Sequence, residues 1–353
     1  MIDLDDEASL AAADPGRMLG SVASLAEHCR HGYELGRSAE GIASADGVTS
    51  VTFCGMGGSA VAGEVLRALY RERLGVPVDV NRSSVLPEYC GPHTLVVASS
   101  YSGGTDETLA CFREALARGC RIVPIASGGA LAAEAREADL GVVEVPGGFV
   151  PRAAFGYLSL ATLGALENAG LLPPAENDVR EAIGGLSALA PRLGPSAHRE
   201  ENPAKELAWQ IGDRVPVIWG AEGIGSVAAA RWKAQFNENA KIPAWASSLP
   251  ELDHNEVVGW APGEGTHSFV VALRHGGEPA DVVKRFGPSI RIAAESGAVV
   301  EEVWGAGRSA LARLLSLVQM GDFVSTYHAL AHGIDPSPMD AIDRLKAALA
   351  EAG

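Results

Sequence analysis

VTFCGMGGSAVAGEVLRALY at 51–70 and TLVVASSYSGGTDETL at 94–109 decide how the rest of the chain is read. Each opens as an apolar β-type run, at 51–54 and 95–99. Each run stops at a loop of glycine and hydroxyl residues, and each loop passes into a helical pattern. Glycine lets a backbone approach a ligand closely, and a helix N-terminus offers free N–H groups and a positive dipole end. Ser59, Ser100, Ser102 and Thr105 add short hydroxyls, and Gly57 and Gly58 open the first loop. Together the loops are expected to form a cup for one phosphate group.

Outward from the cup, β-type runs and helical patterns alternate. Helices are expected at 60–73, 105–118 and 130–137, and strands at 76–81, 121–127 and 141–145. This alternation predicts a parallel sheet with helices on both faces. Ligands of such sheets sit beyond the strand carboxyl ends, where the cup loops fall. Upstream, 19–42 keeps an apolar face and reads as one helix, and residues 1–18 read as a loose acidic lead-in.

The second half repeats the first. PVIWGAEGIGSVAAARWKAQFNENAK at 216–241 again runs from apolar strand through glycine loop to helix. SFVVALRHGGEPADVVKRF at 268–286 matches the second cup segment, and AVVEEVWG at 298–305 reads as a further strand. This copy has Arg274, His275, Gly276 and Gly277 where the first has Ser100, Tyr101, Ser102 and Gly103. Only the first copy keeps its hydroxyls, which implies one phosphate site per chain. Helices at 151–172 and 310–332 are apolar over most of their surface. Such helices are buried, either within a domain or at a subunit interface. LPPAENDV at 172–179 reads as a linker, and helices follow at 178–193 and 203–212. The tail turns at 335–338 and ends in an amphipathic helix.

Bulk properties narrow the function. The chain has 353 residues, enough for two domains, and its mix of apolar and charged residues is that of a soluble globular protein. No apolar run reaches the roughly 18–20 residues that span a bilayer. The acidic N-terminus lacks signal-peptide character, so a cytoplasmic protein without membrane contact is expected. A formal charge of −16 argues against nucleic acid as a partner. Five scattered cysteines lack metal or disulfide spacing. His328 and His332 lie one helical turn apart and could share a metal, but a half-buried helix face explains them more simply. No metal and no cofactor are expected.

GMGGSAVAGE at 55–64, SYSGGTDETL at 100–109, PRAAFGYL at 151–158, FNENAK at 236–241, ELDHNE at 251–256 and DPSPMDAIDRLK at 335–346 occur in this order. Together they resemble the bifunctional phosphoglucose/phosphomannose isomerases, a branch of the SIS (sugar isomerase) fold. The resemblance covers nearly the whole chain. It implies an α/β protein of two SIS domains, each a parallel sheet flanked by helices on both faces, with the first over 1–172 and the second over 173–353. It implies a homodimer and metal-independent aldose–ketose isomerisation of hexose 6-phosphates. By match to the motifs, Gly57, Gly58, Ser59, Ser100, Ser102 and Thr105 would hold the phosphate. Arg152 would stabilise an enediolate, and Glu238 would shuttle the proton between C2 and C1. His254, lent by the partner subunit, and Lys346 would help open the sugar ring.

The chemistry suits these residue types. One carboxylate can accept a proton at one carbon and deliver it to the next. An always-charged Arg stabilises developing enediolate charge. His, with an unperturbed pKa of about 6.5, suits ring opening. Local rules point the same way. Glu238 lies between two Asn in a helical stretch, a poor surface choice by propensity. Arg152 sits at a helix start, where the dipole disfavours a cation. The cup hydroxyls could be helix N-caps, a role compatible with holding phosphate. Three departures stand out. Gly104 replaces a common Asn of SIS cups, Asp253 precedes the His, and Ser337 and Met339 occupy the tail turn where the family often carries Thr. These keep two other readings open: a sugar-phosphate-binding SIS protein without catalysis, and an SIS isomerase for another sugar phosphate.

Overall fold

A computed structural model describes residues 2–352. Two wholly parallel sheets organise it. β1 (Ser50–Cys54), β2 (Val78–Asn81), β3 (Thr94–Ser100), β4 (Arg121–Ala126) and β5 (Val143–Glu144) form the first, in the order β2-β1-β3-β4-β5. β6 (Val215–Ala221), β7 (Trp245–Leu249), β8 (Ser268–His275) and β9 (Val299–Gly305) form the second, in the order β7-β6-β8-β9. Strand order reverses between β1 and β3, the place where such sheets bind ligands. β1 and β3 pair in register from Ser50 and Thr94 to Cys54 and Ala98, so their loops emerge side by side.

Both faces of each sheet are covered, as the unbroken apolar runs require. Side chains alternate across a strand. Leu95 and Val97 of β3 enter one core cluster, and Val96 and Ala98 enter another. In β8, Phe269, Val271 and Leu273 point to the same large cluster as Leu95, while Val270 and Ala272 point away. One central core thus serves both sheets. Fully buried Phe53, Phe155, Phe236 and Phe323 line it, each worth about 2 kcal/mol of burial.

The long apolar helices build this core. Phe155–Asn168 packs on Leu25–Ser38 so closely that a Cβ added at Gly36 would lie 2.2 Å from the Ala161 carbonyl oxygen. Ala310–Ala331 packs on Glu176–Leu193, Pro203–Ile211 and Ile224–Gln235, and it is buried over almost its whole length. A dimer is therefore not what covers these two helices. The chain covers them itself: Phe155–Asn168 lies under Leu25–Ser38 and Gly57–Tyr70, and Ala310–Ala331 lies under the helices of the second half.

Other local expectations are corrected too. The acidic lead-in is not loose. Glu7–Ala13 is a helix capped by the Asp6 carboxylate, Leu4 and Leu10 are buried, and the Ile2 N–H donates to the Ala331 carbonyl. The 19–42 helix is two, Met18–Ala23 and Leu25–Ser38, broken at Ser24. Strand β7 has no apolar alternation to announce it; it is an edge strand with only Leu249 fully buried. The tail helix Asp340–Ala352 is exposed along its described length, with Ile342, Leu345 and Leu349 uncovered. Among the described residues no helix is long and apolar enough to cross a membrane.

Candidate active site

The two glycine loops meet as the register requires. The Gly57–Tyr70 helix starts at β1's end with Gly57 at φ 49°, and no side chain caps it. Ser59 lies buried in its first turn, and its Oγ accepts the Tyr101 N–H at 3.2 Å, joining the loops. Ser100, fully buried, bonds Thr105 through their hydroxyls at 2.8 Å. Ser102 is exposed, and its Oγ accepts the Gly104 N–H. Gly103 stands at φ 67°, and a Cβ there would lie 1.9 Å from the Gly128 carbonyl oxygen, so no side chain fits. None of the four hydroxyls caps a helix: Thr105 stands at the N-cap of Asp106–Ala117 without making the capping bond. The capping reading therefore fails, and the four hydroxyls stand beside two helix N-termini without capping either.

Tyr101 connects the loops to the next group. Its hydroxyl donates to the Pro146 carbonyl and accepts the Phe149 N–H, which fixes the run into the Pro151–Ala154 turn. A Cβ built on Gly58 would lie 3.4 Å from the Pro151 carbonyl oxygen, so the first cup loop borders this turn directly.

Arg152 rises from that turn and is only 2% exposed. Its Nε donates to Asn239 Oδ1 at 2.7 Å, and its Nη2 donates to the Pro336 and Ser337 carbonyls. Its Nη1 lies 3.1 Å from Met339 Sδ and 3.6 Å from Glu238 Oε2. Burial pulls the guanidinium pKa down and the Glu238 charge opposes this. A guanidinium stays protonated through such a shift.

Glu238 and Asn239 come from a single π-helical turn, Phe236–Ala240, that ends Ile224–Gln235. Such turns widen the helix and are frequent at functional sites. Here the turn sends Asn239 fully inward, where its Nδ2 donates to Ser325 Oγ at 3.0 Å, and leaves Glu238 part-exposed beside Arg152. Beneath lies a buried set: Arg231 bonds Asp322 with two nitrogens and also donates to the Arg152 carbonyl, and Gln235 donates to Asp322. Burial raises the Asp322 pKa, with Arg231 acting against it.

Two expected residues stay apart from this group in the chain. His254 is exposed on the Glu251–His254 turn, while its neighbour Asp253 is tied to Ser289 and Arg285. Lys346 is exposed on the tail helix. Among the described residues neither makes a hydrogen bond or ion pair. Among the described residues the tail bonds Arg152 through Pro336, Ser337 and Met339. Sequence reading assigns no role to Asn239, Tyr101 or Lys241. The Lys241 ammonium donates to the Glu238 carbonyl at 2.6 Å and the Pro336 carbonyl at 2.9 Å. Its place directly after FNENA was the one available signal. Elsewhere, His328 bonds the Gly212 carbonyl and His332 faces Asp213, with the rings stacked. Among the described residues no group of three or more His, Cys, Asp or Glu is placed to hold a metal.

Two glycine and hydroxyl loops side by side at a parallel-sheet switch point, with Glu238 and Arg152 beside them, fit the class of SIS-domain sugar-phosphate isomerases. A family model described as the bacterial phospho-glucose isomerase C-terminal SIS domain matches residues 200–349. The chain is 38% identical over 339 residues to a bifunctional phosphoglucose/phosphomannose isomerase of Caldicellulosiruptor bescii, covering 95% of this chain and 99% of that one. It is 28% identical to a D-glucosamine-6-phosphate 4-epimerase of Sulfolobus acidocaldarius, over 71% of this chain and 77% of that one. A crystal structure of a glucose-6-phosphate isomerase-like protein from Thermus thermophilus superposes with TM-score 0.65 at 20% identity, covering 98% and 99% of the two chains. That last likeness concerns the fold. The chain belongs to the bifunctional phosphoglucose/phosphomannose isomerase family.

Proposed function

We propose that this protein interconverts aldose and ketose forms of hexose 6-phosphates, with glucose 6-phosphate and fructose 6-phosphate as the main pair and mannose 6-phosphate as a further substrate, without a metal. The observation that carries this reading is the meeting of Arg152 and Glu238 at 3.6 Å beside the loop of Gly58. The two sheets are read as two SIS modules, 1–172 and 173–353, with the site between them.

The phosphate sits in the cup of Gly57, Gly58, Ser59, Ser100, Ser102 and Thr105 and anchors the substrate away from the reacting carbons. Glu238 takes the proton from C2 of the opened aldose. The C1 carbonyl oxygen gains charge as the double bond moves to C1–C2, giving an enediolate. The O2 hydroxyl proton passes to O1 as Glu238 returns the carbon-bound proton to C1, leaving a hydroxyl at C1 and the ketose carbonyl at C2. Arg152 Nη1 faces the developing charge. Its present partner, the Met339 thioether, is a weak acceptor that an enediolate oxygen readily displaces. His254 enters from a second subunit of a homodimer and, with Lys346, opens the ring.

The experiment incubates EDTA-treated protein with fructose 6-phosphate and follows glucose 6-phosphate and mannose 6-phosphate separately. Turnover to neither product sinks the isomerase reading. A second reading, chemistry on an aminosugar 6-phosphate, is favoured by the epimerase relative. Glucosamine 6-phosphate belongs in the same assay. Binding of these sugars without turnover of any would instead mark a non-catalytic sugar-phosphate sensor.

A further inference from the structure

Lys241 ends the segment that carries Glu238 in an unusual way. Its backbone adopts the left-handed conformation, φ 59°, which few non-glycine residues take up. That reversal turns the side chain back, so its ammonium reaches the Glu238 carbonyl three positions earlier. Alone, this would be a helix C-cap by a lysine, an ordinary structural device. The second bond is not ordinary. The same ammonium donates to the Pro336 carbonyl, 95 positions away, and Arg152 Nη2 donates to that same oxygen. Two cations converge on one neutral carbonyl and repel each other there. A purely structural turn would be held at less cost by an amide or a hydroxyl. Local conflicts of this kind concentrate at functional sites. Glu238, 3.6 Å from Arg152, and Asp335 are carboxylates that offset the excess charge.

We propose that Lys241 is a positioning residue for the Arg152–Glu238 pair. Its ammonium, shared between the Glu238 and Pro336 carbonyls, fastens the 335–339 turn against the segment bearing the base. The turn supplies Pro336, Ser337 and Met339 to Arg152, so its position sets where the guanidinium lies. Lys241 touches no reacting atom in this scheme. It acts through the tail turn and through the backbone of Glu238. Burial, followed by the Arg152 charge, lowers the pKa of this ammonium, in keeping with a crowded cationic corner. The kinetic consequence rests on the isomerase reading above; the mechanical one does not.

The test compares Lys241→Met and Lys241→Arg with the unaltered full-length protein. Amide hydrogen exchange over the peptide spanning 333–342 should quicken about tenfold in Lys241→Met and stay near the original rate in Lys241→Arg, which keeps a donor. The kcat for fructose 6-phosphate should fall about tenfold in Lys241→Met, with KM changed by less than about threefold because the cup is untouched. Exchange of the tail turn that is unchanged in Lys241→Met overturns the proposal. So does faster exchange with an unaltered kcat. If the unaltered protein turns over no sugar phosphate, the isomerase reading fails by itself, and the exchange comparison still decides whether Lys241 fastens the turn.

Discussion

Asn239 holds Arg152 from behind. Its Oδ1 accepts the Arg152 Nε–H at 2.7 Å across 87 positions of sequence, and its Nδ2 donates to Ser325 on the core helix. It is fully buried. The guanidinium facing Glu238 is thus anchored to the most buried helix of the molecule. Replacing Asn239 with Ala strands the buried Arg152 Nε–H and leaves the Ser325 hydroxyl with only its bond to the Asp322 carbonyl. A stability loss of about 1–3 kcal/mol is expected, read from denaturant unfolding. The kcat should fall as well, since Arg152 gains freedom. Unaltered stability in Asn239→Ala would mean that the anchor has no weight.

Glu238→Gln keeps the size of the side chain and removes the base. Turnover should drop by about 10²–10⁴-fold. Protection by fructose 6-phosphate against thermal unfolding should persist, because the cup is intact. Activity that survives this substitution removes Glu238 as the base.

The cup hydroxyls should separate by burial. Ser102 is exposed, so Ser102→Ala should raise KM by about fivefold with melting unaltered. Ser100 is fully buried and bonded to Thr105, so Ser100→Ala should lower both affinity and the melting temperature. Equal effects of the two changes on melting would contradict the burial argument.

His254 needs a partner in the proposed scheme. Chains carrying His254→Ala and chains carrying Glu238→Gln should each be inactive alone. Mixed, they should recover part of the activity if the histidine crosses between subunits. No recovery in verified mixed dimers places His254 outside the trans role.

Burial pushes the His328 imidazole down to about 4 from an ordinary 6.5. The folded chain prefers the neutral ring, so the unfolded chain takes up a proton first as pH falls. This contribution to stability is complete above pH 6.5, is lost between about 6.5 and about 4, and levels off below. The full shift corresponds to roughly 3 kcal/mol. Melting at pH 7 and pH 5 should therefore diverge more in the original protein than in His328→Gln. Buried His28 and His275 titrate in both, so the difference reports His328 together with its stacked partner His332. Equal pH slopes would assign the loss elsewhere.

Much of this protein could be read from local pattern. Strand, glycine loop and helix follow one another within twenty residues around Gly57 and Gly103, and each step obeys a short-range rule. Ser59, Ser100, Ser102 and Thr105 fall together because in-register parallel strands deliver adjacent loops. Where short-range signals were weak, reading failed. β7 lies half-exposed at a sheet edge and needs no alternation. The lead-in is held by buried Leu4 and Leu10, by the Asp6 N-cap, and by long-range bonds from Ile2 to the Ala331 carbonyl and from Lys205 to Asp5, none of which a periodicity announces. The apolar helices announced burial but not by what, since an apolar surface does not specify its cover.

Local pattern was enough to predict two parallel α/β sheets and one hydroxyl-bearing loop pair, while Glu238 and Arg152 were picked out by the family resemblance. Long-range packing chose which cations stand by Glu238. Arg152 and Lys241 do so, held by Asn239 and by a tail carbonyl, while Lys346 lies on an exposed helix. These partners lie far apart along the chain, and their meeting depends on how two sheets pack around one shared core, which no periodicity encodes.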